Sequence, residues 1–190
     1  MRLRSSPERW GAIAQLLHWT VALLVIVLIG LGLWMQTLPT SPDKIRLYAL
    51  HKSLGLTVLA LMLLRIGWRG LDRRPPFPAG MPRWQQRLAR LTHALLYLLL
   101  LLMPLSGWLY NSASNFALRW FGLFSLPPLV APDPVLKAAS HAVHELGGWI
   151  LIGLLVVHVG AALKHHVLDR DDTLIRMLPF ASRRNKEPPC

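Results

Sequence analysis

Four long apolar runs, separated by short stretches rich in proline and arginine, organise this chain. They predict helices over about 11–35, 47–70, 87–110 and 140–166. Each is long enough to cross a hydrocarbon core about 30 Å thick at about 1.5 Å per residue. The expected fold class is an all-α membrane protein, a four-transmembrane-helix bundle forming one integral domain over residues 1–190. Proline punctuates the runs at Pro39 and Pro42, at Pro75, Pro76, Pro78 and Pro82, and at Pro127, Pro128, Pro132 and Pro134, because it cannot continue a helix. The longest connection, from Asn111 to Ala139, carries Phe116, Trp120, Phe121, Phe124 and Leu126. Those residues suit a segment lying at the outer interface and capping the bundle.

Composition agrees with a membrane protein: 53% of the 190 residues are hydrophobic and only 16% are charged. The first run is not a cleaved signal peptide, since Val21 to Met35 is long and Trp34-Met35-Gln36 is not a small-residue cleavage site. The single cysteine, Cys190, excludes an internal disulfide and a Cys-x-x-Cys-His haem attachment. A net charge of +12 raises the question of nucleic acid, but the basic residues follow the loops, which argues against such a partner. Arg2, Arg4 and Arg9 precede the first run, and Arg65, Arg69, Arg73, Arg74, Arg83, Arg87 and Arg90 surround the second connection. Lys164, Arg170, Arg176, Arg183, Arg184 and Lys186 end the chain. The other connections carry only Lys44, Arg46, Lys52, Arg119 and Lys137, so the positive-inside rule places both termini in the cytoplasm.

Histidine is the chemistry the runs carry. His144 and His158 lie fourteen residues apart on the fourth run. At about 100° per residue that spacing returns the side chain to within about 40° of its starting face, about 21 Å along the axis. An ionisable group at such depth is costly and marks function by default. With the N-terminus inside, His18 and His158 fall in the inner half of the bilayer, and His51 and His144 in the outer half. Two imidazoles from facing helices can bind one haem iron axially in a bundle core. Two stacked haems, one between His18 and His158 and one between His51 and His144, would then span the membrane. Gly55, Gly147, Gly148 and Gly160 leave room either for porphyrin or for close helix packing.

Competing assignments stay open at this stage. A lone intramembrane histidine often serves only as a helix–helix hydrogen-bond donor. Zinc is the rival metal, although it favours three or four ligands completed by carboxylate or thiolate, which the runs lack. A haem-free transporter is the other alternative. His141 is turned away from the shared face, while His165 and His166 sit beside Lys164 at the aqueous end, where a solvated role is expected. His93 has a ligand-like depth without an unassigned partner, which suits a quinone or propionate contact or a packed polar residue. Glu145 either orients a ligand imidazole or faces the outer water.

Leu17-His18-Trp19, His51-Lys52-Ser53, His144-Glu145-Leu146 with His158, Ala161-Ala162-Leu163-Lys164-His165-His166 and Asp172-Thr173-Leu174-Ile175-Arg176-Met177-Leu178-Pro179 together resemble the bacterial cytochrome b561 family. The resemblance covers nearly the whole chain. It implies a di-haem inner-membrane cytochrome with two non-covalent haem b groups, ligated at His18, His51, His144 and His158, and linked to the quinone pool. One branch of that family oxidises superoxide at the periplasmic face and reduces ubiquinone, and related b-type subunits anchor hydrogenases and other dehydrogenases as partner proteins. On that basis Lys52, Arg46, Lys137 and Arg119 pair with outer propionates, draw in an anion such as superoxide, or anchor the interface. Arg65 and Arg69 pair with inner propionates or snorkel to lipid phosphates.

Overall fold

The computed structural model describes residues 2–78 and 80–179. Arg183, Arg184, Lys186 and Cys190 lie outside the described residues. Four helices dominate: α1 (Ala12–Thr37), α2 (Pro42–Leu71), α3 (Arg83–Ala113) and α4 (Pro134–Val167). All four are long and apolar enough to cross a membrane, and the chain is a multi-pass membrane protein.

Three helices begin earlier than their apolar runs: α2 and α4 because Pro42 and Pro134 open them instead of lying in the connections, and α3 at Arg83, directly after Pro82. The Ser41 hydroxyl accepts the Lys44 amide at 3.2 Å, and the Asp133 carboxylate accepts the Leu136 amide at 2.8 Å. Proline's missing N–H costs nothing in a first turn whose donors have no helical partner. Helix α3 likewise runs on through Asn111 to Ala113.

Helix α1 packs on α2, α2 on α3, and α3 on α4, whereas α4 has no comparable packing against α1 or α2. Val21, Val25, Val58, Met62, Leu96, Leu99 and Leu151 form the common core. Many other apolar side chains, among them Leu23, Ile26, Trp34, Leu63, Leu64 and Val156, face outward. In a bilayer they meet acyl chains, which are as apolar as leucine.

The long connection does cap the bundle, though as a small β-hairpin in a fold read from sequence as wholly helical. Strands β1 (Leu118–Trp120) and β2 (Phe124–Leu126) pair antiparallel, with Leu118 opposite Leu126 and Trp120 opposite Phe124. Phe121 and Gly122 take positive φ in the turn, which matches the twist of paired strands. The hairpin is fastened to α2: the buried Ser53 hydroxyl accepts the Phe121 amide at 2.9 Å, and the Trp120 indole donates to the Thr57 hydroxyl at 3.1 Å.

The opposite end of the bundle, where α1 begins and α4 ends, is closed by the N-terminal segment. Ser5 donates its amide and hydroxyl to the Asp72 carboxylate at 2.9 and 2.6 Å, and its hydroxyl accepts the Gly11 amide at 2.9 Å. The Ala12 amide reaches back to the Arg2 carbonyl at 3.0 Å. A Cβ on Gly11 would lie 2.4 Å from the Leu3 carbonyl oxygen, so this close approach admits only glycine. Burial pushes the Asp72 carboxyl up, but the Ser5 donors and the Arg73 amide outweigh it and hold its pKa below the ordinary value.

Two histidine pairs across the bundle

The four histidines of matched depth meet in two pairs. His18 of α1 and His158 of α4 have ring centres 6.2 Å apart, and His51 of α2 and His144 of α4 have ring centres 6.3 Å apart. Each pair joins helices that do not otherwise pack closely. The first pair lies toward the end of the bundle where α1 begins and α4 ends; the second lies toward the hairpin.

These separations permit a test of metal binding. A metal-bound imidazole nitrogen lies about 2 Å from the metal and about 1 Å from its ring centre, so two axial imidazoles have centres about 6 Å apart. Both pairs fit, and each joins helices that are not otherwise closely packed. The orientation of His144 also fits, since its Nδ1 lies 3.0 Å from both the Met103 carbonyl and the Ser106 hydroxyl. Its Nε2 is thereby left toward the partner ring. Nδ1 of His51 is buried with no hydrogen-bond partner among the described residues. A buried polar atom left so is expensive, and it points to a site that side chains alone do not complete.

Backbone geometry explains part of this. The rung that α3 loses, to the Leu100 carbonyl, is the one its internal Pro104 cannot donate. The carbonyl of Met103, one residue before it, takes the Ser106 hydroxyl at 2.8 Å and faces His144. Gly107 completes that wall, since a Cβ there would stand 3.4 Å from His144 Cε1. Gly32 of α1 does the same opposite His51, at 3.5 Å from its Cε1. Of the glycines noted in sequence, Gly147 packs against Met103, whose Sδ a Cβ would meet at 2.8 Å, and Gly148 lies near the same side chain. They serve helix packing, while Gly55 and Gly160 face open space. Sequence reasoning missed Gly32, Gly107, Ser106 and the Met103 carbonyl.

Around the first pair the remaining polar residues gather. His93 lies 5.3 Å from His158, closer than two imidazoles on opposite sides of a metal, so it is not an axial partner of His158 and stands beside the pair. Arg65 donates to Nδ1 of His18 at 3.0 Å and to the Tyr97 hydroxyl at 3.0 Å, and Arg69 lies over the Tyr97 ring at 4.9 Å. Near the second pair, Lys52 donates to Asn111 Oδ1 at 2.6 Å and lies 5.8 Å from the Phe116 ring centre. Asn111 is buried and donates to the Phe116 carbonyl, which ties Lys52 to the cap. Arg46 pairs with Asp43 in solvent, Lys44 donates to the Leu38 carbonyl, and Arg119 is exposed.

The other histidines are engaged elsewhere. His141 faces Tyr110 and lies 3.9 Å from an exposed Glu145, so Glu145 takes the outward of its two expected positions. His165 is not solvated as expected, because the chain turns after α4 and wraps it. Its Nδ1 lies 3.0 Å from Asp169 and 2.7 Å from Asp171. Burial raises the Asp171 carboxyl, but donation from Thr173 and from His165 brings its pKa below the ordinary value.

Four membrane helices holding two facing imidazole pairs, one in each half, define the architecture of a b-type membrane cytochrome. The family profile described as prokaryotic cytochrome b561 matches residues 9–180, and the chain belongs to that family. It is 36% identical over 190 aligned positions to cytochrome b561 homolog 2 of Escherichia coli K12, covering 96% of this chain and 97% of the relative. Cytochrome b561 homolog 1 of the same organism is 32% identical over 169 positions, 86% of this chain and 93% of the relative. A Yersinia pestis protein named probable superoxide oxidase CybB is 29% identical over 168 positions, 86% and 92% of the two chains. The chain is therefore a membrane electron-transfer cytochrome of a family that carries b-type haem.

Proposed function

We propose that this protein holds two haem b groups and carries electrons between a donor at the outer face and ubiquinone, with superoxide as the donor. His18 and His158 hold the inner group and His51 and His144 the outer one. The observation that carries this is the pair of 6.2 and 6.3 Å imidazole separations on helices that do not otherwise pack closely. Haem b supplies reversible one-electron chemistry at each level. The net reaction converts two superoxide anions to dioxygen while one quinone takes two electrons and two protons. The relative named as a superoxide oxidase supports the choice of donor.

The side chains supply binding and bias. The Met103 carbonyl and Ser106 fix the His144 ring and raise its basicity. Arg65 has donors only, so if His18 held the group and carried its proton on Nδ1, the guanidinium would lose that acceptor and be free to pair with a propionate. Arg69 and His93 flank that group and the quinone headgroup. Lys52, held by Asn111, places a cation beside the outer pair, where it draws in an anionic donor. Among the described residues, thirteen of the eighteen lysines and arginines lie on the side where α1 begins and α4 ends, which supports placing that side in the cytoplasm of a bacterial inner membrane.

A dithionite-minus-oxidised spectrum with haem counting on purified protein tests this directly. Two b-type haems per chain are expected, and their absence refutes the proposal. His18→Ala and His158→Ala should each remove the same haem, and His51→Ala and His144→Ala the other. Loss of one haem by both His18→Ala and His51→Ala rejects the pairing. Ubiquinone reduction on adding superoxide to the isolated protein supports the donor. Reduction only in the presence of a dehydrogenase would instead make the chain a haem-bearing anchor subunit.

A further inference from the structure

The segment after α4 crosses the end of the bundle where α1 begins and binds α1, although α1 and α4 lack close packing of their own. Three consecutive carbonyls do this. Arg176 O accepts the Trp10 amide at 3.3 Å and Gln15 Nε2 at 3.2 Å, and Met177 O accepts the Trp19 indole at 2.8 Å. Leu178 O accepts the Arg9 guanidinium. Gln15 is buried to 3% exposure, and Ile175 is buried beneath the crossing. Arg176 in turn donates to the Pro76 carbonyl at 2.8 Å, joining the α2–α3 connection to the same crossing.

Trp19 follows His18 directly in sequence, with the two ring centres 5.2 Å apart. The crossing is thus anchored one residue from a proposed axial ligand and bridges the two helices that carry the inner pair. Parting α1 from α4 would free a group held by His18 and His158, and these bonds oppose that parting. We propose that residues 172–178 are a latch that closes the inner haem site and sets how long its haem stays bound. This rests on the haem assignment above and adds a retention element to it. Because the acceptors are backbone carbonyls, the latch depends on the donors Gln15 and Trp19 rather than on latch side chains.

The test uses holoprotein in detergent with excess apomyoglobin, following haem transfer by absorbance. Gln15→Met keeps volume and Trp19→Phe keeps an aromatic ring, and each removes a donor. Their combination should release the inner haem about ten-fold faster, the scale of two lost hydrogen bonds, with the outer haem unchanged. Repeating the measurement in His51→Ala, which retains only the inner haem, assigns the fast phase. Unchanged release, or equal acceleration of both haems, overturns the latch and leaves the haem assignment standing. Wild-type protein without haem overturns both. If the double variant does not accumulate, Trp19→Phe alone decides, with a smaller acceleration confined to the inner haem.

Discussion

Replacing Arg65 with glutamine removes a full positive charge from beside the inner site while keeping side-chain amide donors within reach of Tyr97. The guanidinium lies 3.0 Å from Nδ1 of His18. A metal on the far nitrogen of that ring stands about 4 Å beyond Nδ1, so the charge in this position is about 7 Å from the metal, and the interaction there is an upper bound once the guanidinium turns to a propionate. At an effective dielectric of about 20, two unit charges at that distance interact by about 2.4 kcal/mol. For a one-electron couple this is about 100 mV. Arg65 is only half-buried, and solvent screening brings the expected shift to about 50 mV. The oxidised site carries one more positive charge than the reduced site, so Arg65 raises the potential and its loss lowers it. A spectroelectrochemical titration of wild type and Arg65→Gln should show the inner couple falling by that amount and the outer couple unmoved. An upward shift, or equal shifts of both couples, would refute the placement of Arg65 at the inner haem.

Gly107→Leu should cost the outer haem alone, because its Cβ starts 3.4 Å from His144 Cε1 and the added carbons need the adjoining space, whereas Gly107→Ala should keep both. Haem counting decides, and two haems in the leucine variant reject that wall. Ser53→Ala leaves the Phe121 amide without its acceptor at a cost of about 1–3 kcal/mol. The hairpin should then exchange its amides faster, read by hydrogen exchange, with no change in haem content. The lowered pKa of Asp72 stabilises the fold above the ordinary carboxylate range, and that contribution disappears as pH falls through the lowered folded value. Thermal midpoints in detergent should therefore drop on the acid side in wild type, and less steeply in Asp72→Asn; parallel curves would exclude the Ser5 clasp as the cause.

What the sequence disclosed and what it hid divide along a physical line. Length and hydropathy show in one dimension, so the four spans were legible, and depth follows from direction and residue count, which grouped His18 with His158 and His51 with His144. Azimuth does not show in the same way. When lipid covers most of a helix, apolar residues surround it, and no stripe tells which glycine faces a neighbour's imidazole. Gly32 and Gly107 were hidden for that reason, and Gly147 and Gly148 were open to either role until Met103 was seen against them. Backbone acceptors leave even less trace. The Met103 carbonyl turns to His144 beside a helix-interior proline, and the carbonyls of residues 176–178 hold α1 whatever their side chains.

The same reasoning explains why Arg65 could be placed near the inner haem from sequence but not given its partner. Depth puts it at the level of His18, and only the packing of α1 on α2 turns its guanidinium to that ring instead of to a lipid phosphate. A charge fixed beside one imidazole pair, with a differently held lysine beside the other, gives two similar ligand sets unlike surroundings. Axial ligation is the same at both levels under the proposed assignment, so a difference in potential between the two haems would come from their surroundings, these two charges and the Met103 and Ser106 contacts of His144 among them. Arg65→Gln and Lys52→Met should therefore each lower one couple only, Arg65→Gln the inner and Lys52→Met the outer. A single substitution that moved both together would mean that the field is shared across the bundle and that the two sites are not independently tuned.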